Sequence, residues 1–374
     1  MIKDLIKKFA LLSLLIILPT FVWSQGIIVH QKNGTIVTFP YETIDSIVTY
    51  KAAYSSIYVI NQGSYYDGID GSISTVDIKT GKVVKDAFKS NNGISIGGSP
   101  QPAGEWGNFI YVPAFESNRV WILNAKDLKV KSYLATNYPN CVEVTEDYIF
   151  ITNNDGYLSI YNTDDLTLLK KLSIGPNPCH MTISGGELFI SISDGYNYPT
   201  YANGYRLARV SLTDLTLNGY ISVGMNPGQL LTTTDGNLVV VCRGDYGMTP
   251  SQVLKVNPNT NTNTYICDGS YITVQGNKLY VINATTDWTT HETINTYNLY
   301  DTQTGELLRE NFIDAPQPAM PIAIQCVPNG DIFITSQLSL LDYTSPGLLF
   351  HYNSEGQFIA KYSVGTSPCG ILFK

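Results

Sequence analysis

Three features of the 374-residue sequence predict an all-β fold, a seven-bladed β-propeller with a short N-terminal β-hairpin segment. A β-type run built on an aromatic–aliphatic pair recurs seven times, at a spacing of roughly 40–50 residues, the length of one propeller blade. Each run is followed by a variable loop, a second run, a tight turn and a third run. The chain then ends in a run, Ser367–Lys374, that reads as the first strand of a blade with nothing after it. One such unit cannot bury both faces of its sheet, whereas a ring of seven can.

The elements follow in chain order. Residues 1–24 read as a signal peptide, with an uncleaved anchor as the alternative. Lys3, Lys7 and Lys8 form a basic start, Phe9 to Leu18 is apolar, and Val22 and Ser24 suit cleavage before Gln25. The apolar stretch is short for a spanning helix and no second one follows, so the chain is expected to be exported and not membrane-spanning. Residues 25–52 form a separate β segment. Ile27–His30 and Thr35–Phe39 flank Asn33-Gly34, a strong hairpin turn, and Ile44–Tyr50 suits a further strand.

Residues 53–374 hold the blades. Naming strands A to D from the axis outward, the seven recurring runs are the B strands: Ile57–Asn61, Ile110–Ala114, Ile149–Asn153, Leu188–Ile192, Leu238–Cys242, Leu279–Asn283 and Ile332–Ser336. The C strands end in turns such as KTGK, TDDL, TQTG and NSEG, rich in Asp, Asn, Thr and Gly. The first unit opens at strand B and the last residues supply a spare strand A. Joined in one blade, they close the ring and remove two open edges.

Loop length distinguishes the two faces. A–B and C–D turns are mostly short. B–C connections are long and aromatic: Asn61–Gly71, Ile192–Tyr205, Arg243–Ser251, Asn283–Asn295 and Ser336–Gly347. Scaffolds carry function on such loops, and Tyr and Trp suit recognition surfaces. The expected ligand contacts are Tyr65, Tyr66, Tyr198, Arg243, Tyr246, Trp288 and Tyr343, over the channel end that these loops ring. The same aromatics would also serve to pack the loops, and Arg243 with Asp245 reads equally as a ligand clamp or a local ion pair.

Composition and motifs narrow the classes. Charged residues are 14%, against about 25% in average domains, and the formal charge is −8, so nucleic acid is not an expected partner. No nucleophile elbow, metalloprotease helix or phosphate-binding glycine loop occurs. The four histidines are far apart. His180, at the start of an inner strand, reads as a core or channel histidine, with a metal or catalytic role as the alternative; His291 lies in a long loop. Asp67–Gly71 and Asn153–Gly156 resemble fragments of calcium loops without the full ligand spacing, and read as turns. The six cysteines match no zinc pattern and are expected as buried free thiols, Cys141, Cys179 and Cys369 each shortly after a proline at an inner strand; export permits one or more disulfides as the alternative. No catalytic set, metal site or certain cofactor is expected.

The repeat resembles the YncE-like seven-bladed propellers. The residues that carry the likeness are SIGPNP…LFISI…RVSLTDL and SVGMNP…LVVVC…LKVNPNT, over roughly Ser55 to Lys374. The segment Ile27–Ile47 looks like one found before many Bacteroidetes surface domains. Tyr58–Val83 and Ser99–Val112 resemble the BtuG-type surface propellers of gut Bacteroidetes. That resemblance implies a non-enzymatic protein that captures a corrinoid, cobalamin, on its loop-rich face and passes it to an outer-membrane transporter. Such propellers are lipid-anchored through an N-terminal Cys, and no Cys follows the apolar stretch here, so periplasm and cell surface both stay open. Two other classes remain as alternatives: a cell-surface protein- or glycan-interaction module, and a propeller enzyme of lactonase or quinoprotein type.

Overall fold

A computed structural model describes the backbone of Gly26–His30 and Ile36–Pro40, and residues 54–374 apart from Trp288. The predicted signal segment 1–24, the cleavage before Gln25, the Asn33-Gly34 turn and the strand at Ile44–Tyr50 lie outside the described residues. The chain divides into two compact units, Met1–Ala53 and Tyr54–Lys374. In the first, β1 (Gly26–His30) pairs antiparallel with β2 (Ile36–Pro40), Ile28 opposite Thr38. No helix among the described residues is long and apolar enough to cross a membrane.

The second unit is a ring of seven four-stranded sheets. Blade one contributes β3 (Ser56–Asn61), β4 (Ser72–Asp77) and β5 (Val83–Val84), followed by the helix α1 (Ala87–Asn92). Blade two is β6 (Gly104–Trp106), β7 (Phe109–Ala114), β8 (Arg119–Asn124) and β9 (Val130–Ala135). Blade three is β10 (Pro139–Val144), β11 (Tyr148–Asn153), β12 (Tyr157–Asn162) and β13 (Leu168–Ser173). Blade four is β14 (Pro178–Ser184), β15 (Glu187–Ile192), β16 (Arg206–Ser211) and β17 (Leu217–Ser222). Blade five is β18 (Pro227–Thr232), β19 (Leu238–Cys242), β20 (Gln252–Asn257) and β21 (Thr262–Asp268). Blade six is β22 (Tyr271–Gln275), β23 (Lys278–Asp287), β24 (Glu292–Asp301) and β25 (Leu307–Arg309). Blade seven is β26 (Met320–Cys326), β27 (Ile332–Gln337), β28 (Pro346–Tyr352) and β29 (Phe358–Thr366).

The last strand, β30 (Pro368–Phe373), is the innermost strand of blade one. It pairs with β3, Val59 opposite Ile371 and Tyr58 opposite Leu372. The amides of Ser55 and Ser56 both donate to the Lys374 carbonyl, at 2.6 and 2.9 Å. The ring closes as the sequence predicts.

Burial explains why the B strands are the legible ones. A B strand lies mid-blade with another blade against each face, so β11 and β15 are buried at every position but the first, and β19 throughout. The D strands face solvent. β13 alternates exposed and half-buried residues, and Lys170 and Lys171 mark it as a guarded edge. The C–D turns share one device. The residue ending strand C accepts from the amides two and three residues on, as at Asp77 (2.9 and 2.9 Å) and Asp301 (2.8 and 2.8 Å). The residue four positions on takes the left-handed conformation: Gly81 at φ 71°, but also Leu128 at 57° and Leu166 at 62°.

Two elements depart from the repeat. The outer strand of blade one stops at Val84, and α1 takes its place. Asp86 caps the helix, accepting from the Lys89 amide at 3.0 Å, and Gly93 ends it at φ 69°. Phe88 inserts beside Trp121, ring centroids 5.6 Å apart, and fills the space that an outer strand would cover. In blade six, the predicted loop Asn283–Asn295 is mostly strand. β23 and β24 run on as a hairpin arm, with Thr285 opposite Ile294 and Asp287 opposite Glu292. The threonines and isoleucine there favour extended backbone, and the Thr286 and Thr293 hydroxyls meet across the arm at 3.2 Å.

All six cysteines are free thiols; Cys242, Cys267 and Cys326 are buried and the other three half-buried. Burial pushes the Cys141, Cys242 and Cys369 thiols up to about 12. Thiolate is the reactive form, so all six should resist iodoacetamide in the native protein and all should alkylate once it is denatured without reductant. Intact mass checks this, and a shortfall after denaturation would reveal a disulfide.

Candidate ligand-binding site

Strand register places the loop-rich face. In blades three, four and five the first residue of the inner strand pairs with the last residue of the B strand: Pro139 with Asn153, Pro178 with Ile192, Pro227 with Cys242. The D–A and B–C connections therefore share one end of the ring, and the long loops gather there.

At that end the channel opens into a cavity of about 680 Å³. Its wall carries the residue that follows the proline of an inner strand: Asn140, Cys179, Gly228 and Cys369. Three of these link one blade to the next. The Asn140 amide donates to the Pro178 carbonyl at 3.0 Å, the Cys179 thiol to the Pro227 carbonyl at 3.3 Å, and the Cys369 thiol to the Pro100 carbonyl at 3.5 Å. Small polar side chains belong at this position because the neighbouring backbone is within reach. The cysteines there act as weak donors as well as small fillers.

A second cavity of about 400 Å³ lies beside the first, beneath the hairpin arm of blade six. Arg243, Tyr246 and Tyr271 line both cavities, so the two meet at this trio. The loop of blade five sets it up. Gly244 reverses the chain at φ 65°, where a Cβ would lie 2.0 Å from the Thr249 carbonyl oxygen, so no other residue fits. Asp245 then accepts from the Gly247 and Thr249 amides, both at 2.9 Å, and from the Thr249 hydroxyl at 3.3 Å. Of the two readings of Arg243 and Asp245, the local ion pair is absent among the described residues, because Asp245 is bound to its own loop. The arginine is left facing the cavities. Gly228 on the adjacent inner strand gives it room, since a Cβ there would stand 3.1 Å from the Arg243 Nε.

Electrostatics follow from enclosure. Burial opposes the Arg243 charge, yet the Tyr246 and Tyr271 hydroxyls and the Cys179 thiol outweigh it and move its pKa up. Burial, aided by the Arg243 charge, lowers the His180 imidazole to about 4, so it is neutral at pH 7. Burial raises the Glu143 carboxyl to about 7. His180 thus lines the channel as the sequence suggests. Among the described residues, no group of three or more His, Cys, Asp or Glu side chains is placed to hold a metal ion. The calcium-like fragments are turns: Asp67 accepts from the Ser64 hydroxyl at 2.5 Å, Asp70 from Ser95 at 2.6 Å, and Asp155 pairs with Lys171 at 3.3 Å.

Of the seven residues expected from sequence, the structure brings Arg243 and Tyr246 together on the cavity wall. Tyr65 and Tyr66 sit at the tip of their loop, edge to face at 5.3 Å, and Tyr66 is 96% exposed. Tyr198 is exposed and rests on the edge of the buried Tyr201, at 6.0 Å. Tyr343 is exposed on the loop of blade seven. These four line neither cavity. Trp288 lies outside the described residues, and His291 turns the tip of the hairpin arm at φ 59°. Sequence reading missed Tyr271 and Gln101 in the wall; Tyr201 it has among the aromatics of the loop Ile192–Tyr205 but not among the expected contacts. Pro100, set before its inner strand as the prolines of other blades are, was the signal for Gln101; nothing comparable marks Tyr271.

A seven-bladed propeller with a polar, arginine-bearing pocket at its loop-rich end defines the class. No protein-family model and no curated protein matches the chain. Solved structures do match. A quinoprotein alcohol dehydrogenase-like protein from Bacteroides thetaiotaomicron has a TM-score of 0.60 at 17% identity, covering 86% of this chain and 78% of its own. Hydrazine synthase of Kuenenia stuttgartiensis gives 0.59 at 14%, over 72% and 88%. Apo AztD of Citrobacter koseri gives 0.53 at 11%, over 85% and 97%. At these identities the likeness is one of fold.

Proposed function

We propose that this is an exported, non-enzymatic ligand-binding propeller that captures a corrinoid, or a ligand of similar breadth, on its loop-rich face for delivery to an outer-membrane transporter. The observation that carries the proposal is the meeting of two cavities at Arg243, Tyr246 and Tyr271, under a rim of exposed tyrosines. A broad molecule can lie on that rim and send one substituent into the channel. Tyr supplies contact area at low entropy cost. The corrinoid is chosen on the resemblance of Tyr58–Val83 and Ser99–Val112 to the BtuG-type propellers, and the basic, apolar first residues support export.

Calorimetric titration with cyanocobalamin is the test. Saturable binding is expected, and Tyr246→Ala should weaken it by about 1–3 kcal/mol, the loss typical of an aromatic at a binding hot spot. No heat with the wild-type protein discards the corrinoid. A ligand located on the short-turn face discards the binding face as well.

A further inference from the structure

We infer that Arg243, at the seam of the two cavities, anchors an anionic oxygen group, a carboxylate or a phosphate, of the molecule the propeller holds. This rests on the reading that the loop-rich face binds a small molecule, and it adds the chemistry of that molecule. Four observations carry it. Arg243 is the sole lysine or arginine among the described residues lining either cavity. It makes no ion pair among the described residues. The carboxylates nearby are not paired with it: Asp245 holds its own loop, Asp268 accepts from the Tyr265 hydroxyl at 3.0 Å, and Glu143, raised by burial to about 7, is only part ionised at pH 7. Finally, the phenols of Tyr246 and Tyr271 flank the guanidinium and can complete a donor set around an oxyanion.

An enclosed guanidinium without an anion is costly, and its fork of N–H donors matches a carboxylate or phosphate two oxygens at a time. A structural arginine would be paired within the fold, as Arg209 is with Glu187. Arg243 instead lies on a wall that Gly228 keeps clear and that opens toward the loops. Burial is the larger influence on its neighbours, and the Arg243 charge adds to it at His180, which both lower, and opposes it at Cys179 and Tyr271, which burial pushes up. The channel mouth is thus a positive point in a protein of net charge −8.

The probes are inorganic phosphate and citrate, titrated calorimetrically at low ionic strength into the full chain. Both should bind, and Arg243→Gln should weaken each at least tenfold while the thermal midpoint holds or rises, since the variant loses an unpaired enclosed charge. A less than twofold loss, or a midpoint several degrees lower, would overturn the anchor role. A second measurement needs no variant. Phenylglyoxal modification of Arg243, followed by peptide mass spectrometry, should slow at least fivefold at saturating citrate or phosphate, with exposed Arg309 unchanged as the internal control. Equal rates at Arg243 with and without anion would also overturn it. The corrinoid assignment fails separately. Arg243-dependent anion binding without cobalamin binding leaves the anchor and removes the corrinoid, whereas cobalamin binding untouched by Arg243→Gln does the reverse.

Discussion

A chain ending at Thr366 is expected to lose cooperative unfolding and to aggregate. The missing residues include all of β30, the inner strand of blade one. Their removal strips the backbone partners of Ile57, Val59 and Asn61 and the carbonyl that receives the Ser55 and Ser56 amides. It also removes the Lys374–Glu105 ion pair, 2.6 Å, which ties blade one to blade two. Ile371 is 9% exposed, and Cys369 and Leu372 pack against the cluster of Tyr58, Ile60, Val112 and Trp121. Each aliphatic side chain lost from such a core costs about 1.5–3 kcal/mol, before the ladder itself is counted. The sum approaches the whole stability of an ordinary domain, about 5–15 kcal/mol. β3 would moreover become an open, apolar edge against the channel, a template for pairing with other chains. Thermal unfolding and size-exclusion chromatography of the truncated chain decide the matter. A monomer melting within a few degrees of the full chain would mean that closure does not depend on β30.

That closure was readable because propeller strands obey a template. The inner and middle strands lie between blades, and their composition is dictated by burial on both faces. The seven B runs consequently appear in the structure at the positions expected, within a residue at each end except in blade six, where β23 runs on four residues past Asn283. The template failed where local chemistry competes with it. Asp86 and Gly93 bracket a helix whose caps are visible in the sequence, yet the repeat calls for a strand there, and Phe88 settles the outcome by filling the gap beside Trp121. The hairpin arm of blade six failed for the opposite reason: its polar threonines read as loop, while cross-strand pairing keeps them extended.

The candidate site was legible to the level of a face. Loop length identifies the end of the ring where binding groups gather, and Arg243 and Tyr246 are there. Loop length does not say which way a side chain points. Tyr66 and Tyr343 are on the loop-rich face and stand in solvent, while Tyr201, one turn of loop from Tyr198, is folded in against the channel. Asp245 shows the same limit. Its neighbour in sequence is Arg243, but two backbone amides claim it first.

The channel should also impose two opposing pH dependences on stability, which substitution can separate. Glu143 titrates near 4.5 in the unfolded chain and at about 7 in the folded one. Between those values the folded protein holds the proton more tightly, so its contribution to stability is full below pH 4.5 and is lost as pH rises through 7. His180 runs the other way. It titrates near 6.5 when unfolded and at about 4 when folded, so its contribution is full above pH 6.5 and is lost as pH falls through 4. Both side chains are only half-buried, since the channel is open at its mouth, and channel water trims each effect to about 1–3 kcal/mol, below the 1.36 kcal/mol per unit of the full shift. In the native sequence the two windows overlap and largely offset one another. Relative to wild type, Glu143→Gln should therefore gain stability as pH rises from 4.5 to 7, because the burial cost of the carboxylate is gone. His180→Gln should gain it as pH falls from 6.5 to 4. The double variant should show both gains, each in its own window. Urea midpoints measured from pH 4 to 8 give these differences directly. Curves for the two single variants that stay parallel to wild type across the whole range would show that neither side chain feels the enclosure of the channel.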